Sequence, residues 1–227
     1  MNPPHDPLDR RPIKTRSAGW ARALAHALAT RKISANFVSG VGMLFGIAAG
    51  VLLLATGEVS NPVALRLAAF AAAACIQLRL MCNMLDGMVA VETQTTSPVG
   101  ALYNEIPDRI SDACTLIGAG YALGGCAAMG YAAAVLAIFV AYVRAMGTTL
   151  GQPNDFCGPM AKPHRMFTIT LFALYLALAP ASWRVSWGPS GAWGMMAIGL
   201  LIVAAGSAWT ALRRLRRLAA ALRRTPA

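Results

Sequence analysis

The chain has 227 residues, 57% hydrophobic and 13% charged, with a mean hydropathy of +0.54. That is too apolar for a soluble domain of this size and indicates an all-α integral membrane protein. The formal net charge of +11 does not indicate nucleic acid, because the basic residues gather at the two termini and in particular loops, where they set topology. Cys75, Cys82, Cys114, Cys126 and Cys157 form no CxxC or Cys/His cluster and read as reduced, buried thiols.

Residues 1–33 read as a polar tail without a signal-peptide core, followed from Ser17 to Arg31 by a short amphipathic helix on the membrane surface. Trp20, Leu24 and Leu28 recur there every four residues, with Arg22 and Arg31 on other faces. Residues 34–212 read as a six-helix transmembrane domain with spans at Asn36–Thr56, Pro62–Val91, Ala101–Leu123, Cys126–Leu150, Met166–Trp183 and Ala192–Leu212. The second span is the unusual one: thirty residues at 1.5 Å rise give roughly 45 Å, more than a hydrocarbon core of about 30 Å, so one end projects into water. A tight Gly124-Gly125 turn joins the third and fourth spans, and residues 213–227 form a basic tail. Arginine and lysine counts put both termini, the loop with Arg144, Lys162 and Arg165, and the acidic cluster on the cytoplasmic side. The expected location is a bacterial-type inner membrane, crossed several times.

The chain has nine carboxylates, and Asp86, Glu92, Glu105, Asp108 and Asp112 all fall between Asn83 and Asp112. A carboxylate among apolar spans costs at least about 2.5–3.5 kcal/mol unless paired, hydrated or metal-bound, so the cluster calls for cations. At 100° per residue Arg79, Asn83, Asp86 and Ala90 share one helical stripe, and Asn104, Asp108 and Asp112 share another. The linker from Glu92 to Val99 is long enough to fold one helix back beside the other, so the stripes can face each other. Gly87 and Gly100 permit close approach of a ligand or neighbouring backbone.

These residues resemble the signature of the CDP-alcohol phosphotransferase family, Asp-x2-Asp-Gly-x2-Ala-Arg-x8-Gly-x3-Asp-x3-Asp. Asp86, Gly87, Ala90, Gly100 and Asp108 match at the required spacing, while Asn83, Val91 and Asn104 replace an aspartate, the arginine and another aspartate. The run from Ser34 to Ser39 is similar to the family's Thr-Pro-Asn-x-Val-Thr opening. The resemblance implies six helices after a juxtamembrane helix, and transfer of a phosphatidyl or similar phosphoryl group from a CDP-linked donor, with CDP-diacylglycerol the expected one, to an alcohol with release of CMP. It also implies a homodimer and divalent ions, Mg2+ or Mn2+. By position Asn83, Asp86, Asn104 and Asp108 would be metal ligands, Asp108 the general base, and Gly87, Ala90 and Gly100 part of the substrate wall.

Two asparagines for aspartates remove two negative charges and keep two carbonyl oxygens, so a second dication would be held poorly and a single ion is expected. Arg79, one turn from Asn83, is expected to supply positive charge in place of one ion. Asp112 either substitutes as a ligand or pairs with Arg109 or a neighbouring helix. Arg144, Lys162 and Arg165 either bind a substrate phosphate or serve topology alone. Two functional classes follow: a membrane transferase of phospholipid synthesis, or a catalytically silent relative that binds or scaffolds.

Overall fold

The computed structural model describes residues 18–93 and 100–224, without the side chains of Ala101, Asn104 and Ser190. The expected polar tail before residue 18 and most of the linker between the stripes lie outside the described residues. Within them are seven α-helices: α1 (Gly19–Thr30), α2 (Ala35–Glu58), α3 (Pro62–Glu92), α4 (Gly100–Tyr121), α5 (Ala127–Thr149), α6 (Lys162–Leu178) and α7 (Met195–Leu222). The described residues form no β-strand, only an isolated bridge between Trp187 and Trp193.

Helix starts follow from local chemistry. Ser34 caps α2 by accepting from the Phe37 amide at 3.2 Å, and Asn61 caps α3 by accepting from Val63 and Ala64 at 2.8 and 3.2 Å, with Pro62 in the first turn. Two boundaries differ from the hydropathy reading. The fifth long helix, α6, begins at Lys162 rather than Met166 because Pro163 suits a first turn, and it stops at Leu178 because Ala179, before Pro180, is extended. The last helix, α7, continues ten residues beyond Leu212 to Leu222, so the arginine run from Arg213 to Arg217 is helical and turns Arg214 inward.

By length and composition, four described helices can cross a membrane: α2, α3, α5 and α7. The helix α4 spans 22 residues but contains Glu105, Asp108, Arg109 and Asp112, and α6 has only 17 residues. The architecture is that of a multi-pass membrane protein.

Small residues set the packing. The helix α2 runs against both α3 and α4, which touch each other only briefly. Gly42, Gly46 and Gly50 recur every four residues along it. A Cβ on Gly50 would overlap the Cys114 carbonyl, and one on Gly118 would overlap the backbone of Gly50, so α2 and α4 meet backbone to backbone, as small-xxx-small seams in membranes do. An alanine-rich core including Ala49, Ala72, Ala119 and Ala133 continues this tight packing.

The two ends of the bundle are distinct. At one, Thr56 Oγ1 accepts from the Leu123 amide at 3.2 Å, and the Gly124 carbonyl accepts from Gly194 and Ala197 at 2.8 and 2.9 Å. Gly124 has φ +69° there, a conformation side chains resist. At the other end α1 lies on α3 with Ala21 and Ala25 buried, and His26 Nδ1 sits 2.7 Å from Glu92 Oε1. Trp20 remains 53% exposed.

Candidate functional site

The polar stripes converge at the α1 end. Asp86 on α3 is buried and accepts from Ser39 Oγ of α2 at 2.7 Å and from the Gly87 amide at 2.6 Å. Ser39 lies one turn before Gly42, so the glycine seam that draws α2 close also delivers this hydroxyl. Arg79, 2% exposed, reaches across to α4: Nε donates to Ser111 Oγ at 2.9 Å, and Nη2 lies 3.0 Å from Asp108 Oδ1 and 2.9 Å from Asp112 Oδ1.

The helix α6 closes the cluster. The Lys162 ammonium pairs with Asp108 Oδ2 and with Asn83 Oδ1, bridging the two stripes. Arg165 is fully enclosed, with Nη2 3.1 Å from Asp112 Oδ2 and Nη1 3.0 Å from the Met160 carbonyl. Asp112 thus pairs with Arg79 and Arg165 rather than with Arg109, which binds Glu105 at 2.8 Å. Arg144 joins that surface pair, 2.9 Å from Glu105 Oε2, and lies over the Phe156 ring.

Of the sequence-predicted residues, Arg79, Asn83, Asp86, Asp108, Asp112, Lys162 and Arg165 come together. Gly87 and Ala90 follow on α3, and Gly100 opens α4. The side chain of Asn104 lies outside the described residues. Arg144 stands apart, on a separate cleft of about 180 Å3 shared with Gln152, Asp155, Arg214 and Arg217. Sequence reasoning missed Ser39 and Ser111 as site residues, although each falls on a face already marked by a charged residue or a glycine repeat and Ser39 closes the run from Ser34 that resembles the family's opening.

Ser39, Arg79, Asn83, Asp86, Asp108 and Ser111 line a narrow cleft with about 10 Å3 of free space, about one water. Arg79, Lys162 and Arg165 balance Asp86, Asp108 and Asp112 one for one. Both oxygens of Asp108 already face a cation, and those of Asp86 already accept hydrogen bonds. Among the described residues no three His, Cys, Asp or Glu side chains group so as to hold a metal. As arranged, this donor set does not fit a two-ion centre, which needs several carboxylate oxygens facing one point.

No family model matches the chain. It is 24% identical over 184 residues to the inner membrane protein YnbA of Escherichia coli, covering 81% of this chain and 83% of that one. Crystal structures of the phosphatidylinositol phosphate synthase PgsA1 of Mycobacterium tuberculosis align at 20% identity. The form with CDP-DAG bound gives a TM-score of 0.69 over 88% of this chain and 94% of that one. The complex with manganese and citrate gives 0.68 over 87% and 88%. The chain therefore has the fold of phosphatidylinositol phosphate synthase, a CDP-alcohol phosphatidyltransferase, which is the family that the motif from Asn83 to Asp108 resembles.

Proposed function

We propose that this protein is a membrane phosphotransferase that moves a phosphatidyl or similar phosphoryl group from a CDP-linked lipid, with CDP-diacylglycerol as donor, to an alcohol, releasing CMP. The observation that carries the reading is the convergence of Arg79, Asp86, Asp108 and Lys162 in one cleft, in a fold shared with a protein crystallised with CDP-DAG. On this reading the donor diphosphate draws Lys162 and Arg79 off Asp108, exchanging one set of charge-assisted hydrogen bonds for another. The acceptor hydroxyl oxygen attacks the phosphorus carrying the diacylglycerol, the phosphoanhydride bond breaks, and CMP leaves with the bonding electrons. The freed Asp108 takes the hydroxyl proton. Gly87, Ala90 and Gly100 leave room for the cytidine.

The reading extends to topology and assembly: six crossings in an inner membrane, α1 on the cytoplasmic surface, both termini and the cleft cytoplasmic, and a homodimer. A second reading, a silent relative that binds a CDP-linked lipid without turnover, is favoured by the pairing of Asp108 with two internal cations. Purified protein incubated with CDP-diacylglycerol and a panel of polyols and phosphorylated alcohols separates the two. CMP release that disappears in Asp108→Asn is expected for the transferase, and CDP binding with no CMP from any acceptor identifies the silent relative.

A further inference from the structure

We propose that this chain has exchanged divalent ions for two tethered cations, Lys162 and Arg79, and that it grips the diphosphate of its ligand without metal. The observation is positional. The three ligand positions of the motif whose side chains are described are Asn83, Asp86 and Asp108. Lys162 Nζ contacts Asn83 and Asp108 together, so an ammonium joins the two stripes through residues that would otherwise be free to hold an ion. Arg79 Nη2 contacts Asp108 on its other oxygen and Asp112 beyond it.

Charge counting points the same way. Four aspartates facing one another are strongly repulsive and demand cations from solution. Here the motif supplies only Asp86 and Asp108 on its described side chains, and the side chains on α3 and α6 already neutralise the cluster. A dication entering it would have to expel Lys162 or face it at close range, and like charges at such separations repel strongly when desolvated. An arriving diphosphate meets the opposite situation. Arg79 lines the cleft, and its Nη1 is buried without a hydrogen-bond partner. A guanidinium held by Ser111 and two aspartates, with both N–H groups of Nη1 spare, is preorganised for an anionic oxygen. Lys162 supplies a point charge beside it on the neighbouring helix.

The metal half of this inference stands on the geometry alone; the diphosphate half rests on the transferase reading. Both halves can be measured on purified full-length protein in detergent. Titration of Mn2+ followed by the electron paramagnetic resonance of the free ion is expected to show no loss of signal with the wild type. The double substitution Asn83→Asp, Lys162→Met removes one tethered cation and adds one carboxylate, and is expected to bind Mn2+ and deplete the signal. Depletion by the wild type overturns the proposal, as does a folded double variant, monodisperse on gel filtration, that gains no binding. Asn83→Asp alone, which leaves Lys162 in place, is expected to stay metal-free.

CDP affinity is then compared in Mg2+ and in EDTA. Equal affinity, with a loss of roughly tenfold or more in Lys162→Met and recovery in Lys162→Arg, is the expected result. Loss of CDP binding in EDTA overturns the metal-free grip. Absence of CDP binding in both buffers overturns the diphosphate half together with the transferase reading, while the manganese titration still decides the ion exchange.

Discussion

Asp112 and Arg165 illustrate how single residues divide between support and chemistry. Both side chains are 2% exposed and pair with each other, and Asp112 also faces Arg79. Removing one member of a buried pair leaves an uncompensated charge and costs about 3–5 kcal/mol. We therefore expect Asp112→Ala and Arg165→Leu each to lower the melting temperature strongly. The double substitution should recover much of the loss, which thermal unfolding in detergent will measure as non-additivity. A variant that melted like wild type yet lost activity would instead assign Asp112 to the chemistry. Ser39 is a finer case. Its hydroxyl is one of two donors to buried Asp86, and a hydrogen bond to a charged group is worth about 1.5–3 kcal/mol. Ser39→Ala is expected to weaken CDP binding and lower stability by amounts of that order, and Ser39→Thr to retain most of both, read by nucleotide titration and melting curves.

At the scale of elements, the α2–α4 seam and the segment between α5 and α6 place different demands on the fold. The backbones of Gly50 and Gly118 leave no room for a Cβ, so Gly118→Leu must push α2 and α4 apart. Because α2 also carries Ser39, that separation disturbs the cleft some distance away. The expected result is a protein that fails to accumulate as a monodisperse species, with Gly118→Ala intermediate. The segment 150–161 is held otherwise. Asp155 accepts from the Cys157 amide at 2.8 Å and pairs with Arg217 at 3.2 Å. Partial burial raises its pKa, but the Cys157 hydrogen bonds and the Arg217 and Arg214 charges outweigh that and leave it below the usual carboxylate value. A depressed value means that this contact stabilises fully above the unfolded value of about 3.9 and is lost as pH falls through the folded one. Hydrogen exchange in residues 150–161 should therefore be flat from neutral to mildly acid pH once corrected for intrinsic rates. It should accelerate only in strong acid, and Asp155→Asn should remove that acid step.

For the whole molecule, what the sequence made legible was what a helix makes periodic. Arg79, Asn83 and Asp86 lie on one face because the helix repeat puts them there, and Asp108 and Asp112 likewise; facing stripes followed from the shortness of the linker. What docks across helices was not legible: Lys162 reaches Asn83 from 79 residues away, and nothing in the local pattern distinguishes a lysine that fills a site from one that sets topology. Ser39 was hidden by the small residues around it. The start of α6 was hidden by its polar first turn, which hydropathy reads as loop.

The same weakness affects the span count: by length and composition four described helices can cross a membrane, while the proposed topology has six crossings. The helix α2 runs from Ser39 at the cleft to Thr56, which meets Leu123, and α4 runs from Asp108 at the cleft to Tyr121, two residues before that same Leu123. The two helices thus cover the same depth, and if α2 crosses the membrane, α4 does too. The helix α6 runs in parallel fashion from Lys162 at the cleft to Ala179, whose carbonyl accepts from Arg66 near the far end. Six crossings return the α5–α6 segment to the side of both termini, whereas four would leave it opposite. A single cysteine at Gln152 in a background without the native cysteines distinguishes the two. We expect Gln152→Cys in intact cells to resist a membrane-impermeant maleimide and to react only after permeabilisation, with Ser60→Cys reacting from outside in both conditions. Labelling of Gln152→Cys in intact cells would place the α5–α6 segment opposite both termini and overturn the six-crossing topology.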